Sequence, residues 1–454
     1  MIDETRSLAE RFSSAGFGLY LVGGIVRDLL LGREIASADL DLDLTTPARP
    51  EQIKQMLEGW AQAIWTQGER FGTIGAMVDG RRFEITTHRA ETYDPDSRKP
   101  DVSFSTDIES DLSRRDFTVN AMALSVTDPV PVLIDPFDGQ RHLAEGQLRT
   151  PRSPEESFSD DPLRMLRAAR FIAGYSLRPD EELLSAATRL AGRLEIVSPE
   201  RIRAELDKLM VVDDPSAGLW FMHDVGLAEV FFPELPRMRV EQDPIHRHKD
   251  VLTHTIAVVA KTSPRLKLRL AALFHDVGKP RTRSIDEGGV SFHHHEVVGA
   301  RMTRDRMRAL KYSNEMVQDV SQLVYLHLRF HTYGMGWTDS AVRRFVRDAD
   351  DQLEDLIELT RCDCTTRNQR KAEMLARRMD DLEERIRYLR ERDELLAVRP
   401  DLDGQAVMLH LGAGPGPLIG RALKHLLELK LERGPLDHDE ALAALDDWWA
   451  QHQP

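Results

Sequence analysis

The property that most constrains how this chain can fold is a change of period near Pro151. Before that point, short runs rich in branched residues are bounded by glycines: LYLVGG, DLDLDLTT, GTIGAMVDG and RRFEITTHR. Runs of this kind predict β-strands. Between them, RPEQIKQMLEGWAQ puts Ile53, Met56, Leu57 and Trp60 on one side of an amphipathic helix. After Pro151 the strand signals nearly vanish. DPLRMLRAARFIA, PDEELLSAATRLAGRL and SPERIRAELDKLM predict helices, started by Asp160 or Asp161, by Pro179-Asp180 and by Ser198-Pro199-Glu200.

A proline-rich junction, FFPELPRMRVEQDP, leads to a second helical block rich in histidine. Next comes a highly charged helix at about 369–396 with opposite charges at i,i+4 spacing. A glycine-proline hinge, GAGPGP at 412–417, precedes two short helices. The fold expected is therefore α+β: a head over 1–150, a helical neck over 151–243, a helical body over 244–368 and a charged helical tail over 369–454.

A length of 454 residues is consistent with two to four domains. With 41% hydrophobic and 30% charged residues the chain can build cores and is not expected to be disordered. The formal net charge of −15 argues against indiscriminate coating of nucleic acid, but a binder that lines one groove with basic residues remains open. No segment approaches the roughly 20 apolar residues that cross a bilayer, so no membrane partner is expected. The opening MIDETRSLAERF carries acids early and is not expected to be a signal peptide. Two cysteines, Cys362 and Cys364, lie too close together for an ordinary disulfide and fit a reducing cytoplasm.

Chemistry concentrates in four places. The first is Gly23-Gly24-x-x-Arg27-Asp28 followed by Asp41-Leu42-Asp43. Paired glycines between a strand and a helix let the backbone approach a phosphate, and Arg27 can add a charge-assisted contact. Asp41 and Asp43 leave one face of a strand, so together they can share Mg²⁺ ions at a triphosphate. Asp39 has the same parity and competes for that role. A lone glycine pair is commonly only a turn and a lone DxD only a strand end; the ordered combination is what gives specificity. Glu84, within RRFEITTHR, is expected as a third carboxylate.

The second place is Arg114-Arg115-Asp116-Phe117-Thr118-Val119-Asn120, where Arg115 and Asn120 suit sugar and phosphate recognition. The third is Asp160-Asp161-Pro162-Leu163-Arg164, with Arg167 and Arg170 following at three-residue intervals along a helix face. A carboxylate and a guanidinium on adjacent turns can read a base edge, since cytosine and adenine both present an exocyclic amine. The fourth is His254, His275-Asp276, the triplet His293-His294-His295, and Asp363 within TRCDCTTRN.

The order LVGGIVRDLLLG, DLDLTT, EITTHR, RRDFTVNAMAL, DPFDG, DPLRMLRAARF and SPERIRAEL resembles the class II tRNA nucleotidyltransferases, the CCA-adding enzymes, and their poly(A) polymerase relatives. The resemblance covers most of the first ~210 residues. It departs at Asp160, where the family usually has Glu. It implies a polymerase-β-like head with a mixed sheet, then helical neck, body and tail. It further implies Mg²⁺ on Asp41 and Asp43, and nucleotide contacts from Gly23, Gly24, Arg27, Asp28, Arg115, Asp116, Asn120, Asp161, Arg164, Arg167 and Arg170. The base would be read by Asp161 and Arg164, without a template.

The activity so implied is addition of CCA to the 3′ end of tRNA from CTP and ATP. A poly(A) polymerase, a CC-adding specialist or an A-adding specialist stands as the alternative. The tRNA acceptor arm would be gripped by shape and phosphates, with Arg370, Lys371, Arg377 and Arg378 as candidate contacts. Segment 93–101, YDPDSRKPD, is expected to be a flexible loop in this family. The histidines resemble the HD phosphohydrolases, which implies a divalent transition metal on His254, His275, Asp276 and Asp363, assisted by His295. Hydrolysis of 2′,3′-cyclic phosphate ends is the activity this would suggest.

Overall fold

The computed structural model describes residues 2–33, 41–92, 101–240, 250–286, 289–364, 369–393 and 399–452. Asp39 and residues 93–100 lie outside them. The chain divides into two compact units, Met1–Pro236 and Arg237–Pro454.

In the first unit the expected strands form as β1 (Tyr20–Val22), β2 (Leu42–Thr46), β4 (Thr73–Val78) and β5 (Arg81–Thr87), joined by β3 (Ala63–Trp65), β8 (Ala123–Ser125) and β9 (Leu133–Ile134). They make one seven-stranded sheet in the order β3-β4-β5-β2-β1-β8-β9. The pairing is mixed, because β2 runs parallel to β5 while every other neighbouring pair is antiparallel. A separate hairpin, β6 (Arg89–Thr92) with β7 (Asp101–Phe104), flanks the segment expected to be a loop.

Alternation sets the two faces of the sheet. Leu42 and Leu44 of β2 turn into a core with Leu21, Ile74, Phe83 and Ile85, which α1 (Ile2–Ser14) and α3 (Pro50–Leu57) cover with Leu8, Phe12, Ile53 and Leu57. Each such fully buried side chain contributes about 1.5–3 kcal/mol. Met56 joins them as the periodicity requires, while Trp60 lies beyond the helix end and packs at the edge. Asp43, at the odd position, is left on the opposite face.

Helices α2 (Gly24–Leu30), α4 (Ile108–Ser113) and α5 (Gly139–Glu145) complete the head. The neck follows as α6 (Pro154–Asp160), α7 (Leu163–Tyr175), α8 (Glu181–Leu190) and α9 (Pro199–Met210). Asp180 caps α8 by accepting from Leu183 N at 2.9 Å, as its sequence position suggests. Ser198 makes no side-chain cap, so α9 starts on Pro199 alone.

Among its described residues the second unit is helical, with a pair of strands Arg283–Asp286 and Gly289–Phe292 that sequence periodicity did not signal. Helices Val251–Lys261, Leu266–Phe274, His295–Ala309, Asn314–Leu326 and Leu353–Asp363 surround the histidines. The charged helix runs Gln369–Asp393. Beyond it, Gly404–Leu411, Pro417–Arg433 and His438–His452 share their own core of Leu402, Val407, Leu426 and Leu445. The last two helices, expected to be short, have 17 and 15 residues. Among the described residues no helix is long and apolar enough to cross a membrane.

Candidate functional site

The polar face of the sheet gathers the acidic residues. Asp41 stands just before β2 and shares its parity with Asp43; Asp43 is in register with Glu84 on the adjacent parallel strand. All three carboxylates therefore rise from one face, and all three are open to solvent. The Asp43 carboxyl is raised to about 6, by desolvation first and by Glu84 and Asp41 after it, against the lowering pull of Arg115. Mutually repelling carboxylates on one sheet face form a donor set of hard oxygens, which suits Mg²⁺.

Antiparallel pairing of β1 with β2 brings the glycine turn to the same end of the sheet. Gly23 has φ 76°, which an L side chain rarely adopts. A Cβ there would lie 3.3 Å from Arg115 Nη1, so the guanidinium of Arg115 packs directly on the turn. Arg115 keeps a contact to Asp111 Oδ2 at 3.3 Å, and its buried Nε makes no hydrogen bond.

Arg27, expected at the phosphate, faces inward instead. It is 5% exposed and donates to both oxygens of Asp28, at 3.0 and 2.8 Å, to Asn120 Oδ1 at 2.6 Å and to the Tyr175 hydroxyl. Its guanidinium also lies 4.1 Å from the Tyr175 ring centre. Four of its five N–H donations go to protein acceptors, so its place is beneath the turn rather than on it. Asp28 and Asn120, also expected as nucleotide contacts, are occupied in the same way.

From Asn120 the network continues. Its Nδ2 donates to Asp116 Oδ1 at 3.0 Å, and Asp116 Oδ2 accepts from Arg167 Nε at 2.7 Å. Burial alone would raise the Asp116 carboxyl, but Arg167, Asn120 and Arg164 hold it well below the usual carboxylate range. Arg167 and Arg170 converge on Glu205 of α9, at 3.6 and 3.0 Å. Sequence reasoning missed Glu205, a buried acid in an amphipathic helix whose only signal was SPERIRAEL itself.

A cavity of about 420 Å³ opens between head and neck, lined by Arg115, Asp116, Asp161, Arg164, Arg167 and Arg201 among others. Asp161 is extended between α6 and α7; its Oδ1 accepts from Leu163 N at 3.2 Å and its Oδ2 lies 3.3 Å from Arg201. Arg164 is 7% exposed, with Nη1 donating to Ser157 Oγ at 2.9 Å and Nη2 to Arg114 O. The expected carboxylate and guanidinium thus border one cavity. Asp160 pairs with Arg152 outside it.

In the second unit the histidine cluster assembles as expected and gains a member. His254 Nε2 is 2.8 Å from Asp363 Oδ1 and 3.3 Å from His275 Nε2; His275 Nε2 is 3.2 Å from Asp276 Oδ2. On the other side of the same carboxylate, Asp276 Oδ1 lies 3.3 Å from His295 Nε2 and 4.0 Å from His327 Nε2. His293 and His294 of the triplet are exposed. His327, in the leucine-rich LVYLHLRF, gave no spacing signal.

The Nδ1 atoms of His275, His295 and His327 donate to the carbonyls of Ala272, Phe292 and Val324, at 2.7, 2.8 and 2.6 Å. A carbonyl only accepts, so each ring aims its Nε2 at Asp276. His295 Nε2 and His327 Nε2 are buried without a hydrogen-bond partner. Desolvation would lower His275, but Asp276 and Asp363 raise it to about 10; His327 is pushed down to about 3, by desolvation first. A neutral His327 with an open lone pair, set against a carboxylate, fits a cation. Burial raises the Cys362 thiol to about 11, which makes it a poor ligand. In the charged helix Arg370 and Arg377 are exposed and Arg378 is half-buried, and nothing further is described of the Lys371 side chain.

Residues 19–149 match the poly A polymerase head domain, 176–238 the probable RNA and SrmB-binding site of polymerase A, and 251–389 the HD domain. An A-adding tRNA nucleotidyltransferase of Deinococcus radiodurans is 33% identical over 96% of this chain and 96% of its own length. A CCA-adding enzyme of Enterococcus faecalis is 30% identical over 71% of this chain and 69% of its own length. The fold matches that of the Bacillus stearothermophilus CCA-adding enzyme in complex with CTP, at TM-score 0.69 and 23% identity, over 99% of this chain and 98% of that one. With near full-length similarity of this kind, the chain belongs to the tRNA nucleotidyltransferase family.

Proposed function

We propose that this chain adds CCA to the 3′ end of tRNA from CTP and ATP. The observation that carries the proposal is the triad Asp41, Asp43 and Glu84 on one sheet face, beside the Gly23 turn and Arg115. In the reaction the tRNA 3′-hydroxyl attacks the α-phosphate, a 3′-O–P bond forms, and pyrophosphate leaves with the cleaved P–O bond. Asp41, Asp43 and Glu84 would hold Mg²⁺, which when bound neutralises charge at the triphosphate. Arg115 and the Gly23–Gly24 backbone receive the phosphates, and Arg27 keeps that turn in shape from below. Asp161 and Arg164 border the cavity that takes the base. The tRNA acceptor arm approaches the neck through phosphates and shape. A cytoplasmic location suits such a substrate and two free thiols.

A-only addition is the second reading, favoured by the Deinococcus radiodurans relative, which is named for that activity. Two substrates separate them: tRNA lacking its whole 3′ CCA, and tRNA ending in CC. Growth of the first by C, C and A, resolved at single-nucleotide length, supports CCA addition. Growth of the second alone supports the A-adding reading, and a long A tail on either would point to a poly(A) polymerase.

The second unit is proposed as a metal-dependent phosphohydrolase. The donor set fits two divalent transition-metal ions sharing Asp276, one with His254, His275 and Asp363, the other with His295 and His327. Hydrolysis of 2′,3′-cAMP by wild type and by His275→Ala tests it. Equal rates would remove the assignment.

A further inference from the structure

Among the guanidinium groups lining the cavity between head and neck is Arg201, to which the reading above gives no role. Arg164 is tied to Ser157 and Arg114, Arg167 to Asp116 and Glu205, and Arg170 to Glu205. Arg164 and Arg167 line the cavity in these fixed positions. Arg201 differs: it stands on α9, its side chain is 43% exposed, and its described ion pair is with Asp161.

We propose that Arg201 is a specificity-determining positioning residue, which fixes the Asp161 carboxylate so that it accepts from the exocyclic amine of the incoming base. The proposal rests on the reading that Asp161 faces the base. The geometry gives the reason. Asp161 lies in extended backbone, φ −138° and ψ 100°, between two helices, so its side chain is not braced by a helical turn of its own. One oxygen is held by Leu163 N at 3.2 Å and the other by Arg201 at 3.3 Å. A carboxylate gripped at both oxygens keeps its remaining lone pairs in a set direction and can only accept. Cytosine N4 and adenine N6 donate to it; uracil O4 and guanine O6, at the corresponding edge, are acceptors and are repelled.

Without Arg201 the carboxylate loses its grip at Oδ2 and can turn away from the cavity. The pocket then loses an acceptor for the correct bases and a repulsive group against the wrong ones. Arg201 does not touch the reacting phosphorus, so the rate at saturation should hardly change. The predicted signature is in KM and in discrimination.

The test is single-nucleotide addition by the full chain to tRNA with an incomplete 3′ end, with CTP, ATP, UTP and GTP supplied separately. Wild type is compared with Arg201→Met, Arg201→Lys and Asp161→Asn, with melting curves to show that each is folded. For the nucleotide that wild type uses, Arg201→Met should raise KM about tenfold, with kcat within about threefold, the size of one charge-assisted hydrogen bond. Preference over UTP and GTP should fall by about tenfold, and Arg201→Lys should recover part of both. If Asp161→Asn loses preference while Arg201→Met keeps wild-type KM and preference, Arg201 is only a surface ion pair and the proposal is overturned. If Asp161→Asn also keeps wild-type preference, the base is read elsewhere and the reading of Asp161 falls with it.

Discussion

Arg27 and Arg115 both pack against one glycine turn, Arg27 within a buried network and Arg115 beside Asp111, and their replacement should fail in opposite ways. Arg27→Met removes four donations from a guanidinium that is 5% exposed. The buried Asn120 Oδ1 is left without its donor, at about 1–3 kcal/mol. Loss of the cation–π contact with Tyr175 at 4.1 Å costs about 0.5–2 kcal/mol more. Asp28, whose side chain is 25% exposed, is rehydrated and adds little. The local cost is therefore about 3 kcal/mol, a large share of the usual stability of a domain. Hydrogen exchange reads it directly: amides of Gly24–Leu30 and Leu163–Tyr175 should exchange about a hundredfold faster in Arg27→Met, through local opening. Arg115→Met, by contrast, should leave exchange at those amides unchanged and raise KM for the nucleotide about tenfold, because its guanidinium packs on Gly23 and pairs with Asp111 rather than joining the Arg27 network. Wild-type exchange in Arg27→Met together with a weakened hold on the triphosphate would refute the reasoning and return Arg27 to the phosphate.

Other outcomes follow from the same geometry. Asp43→Asn should lower nucleotide addition by at least about a thousandfold in a primer-extension assay, since it removes a ligand and a charge at the reacting phosphate. Because Asp43 titrates at about 6, Mg²⁺ affinity measured by calorimetry should weaken as pH falls from about 7 to about 5, as protons compete for that carboxylate. Asp43→Asn should flatten that dependence. In the second unit, His295→Ala with His327→Ala should lower tightly bound transition metal, measured by elemental analysis, from two ions per chain to one, while His254→Ala with Asp363→Ala should remove the other.

The head was legible in the sequence because its chemistry is written in short-range parity. Asp41 and Asp43 are two apart on a strand, so their shared face follows from the pleat alone. The strand pairing then adds Glu84 beside Asp43, where alternation had suggested it. The buried network of Arg27 was not legible for the converse reason: its partners Asn120 and Tyr175 are 93 and 148 residues away, and no local period reports them. Arg201 and Glu205 sat in an ordinary amphipathic helix, where charged residues usually face water, and only the packing of α9 on α7 turns them toward the cavity. In the body, His254 and His275-Asp276 were readable as imidazoles among apolar residues. His327 looked the same as any histidine between leucines until its helix end was seen to meet Asp276.

The bonds running from the Tyr175 hydroxyl through Arg27, Asn120 and Asp116 to Arg167 begin and end on the same helix, with the sheet domain's residues in between. That helix is consequently clamped like a beam at two supports and cannot pivot freely against the catalytic sheet. On the proposed reading, in which the incoming base enters the cavity beside this helix, making room for a purine in place of a pyrimidine would flex the span between the supports or carry both domains along together, and so pass the size of the base to the glycine turn.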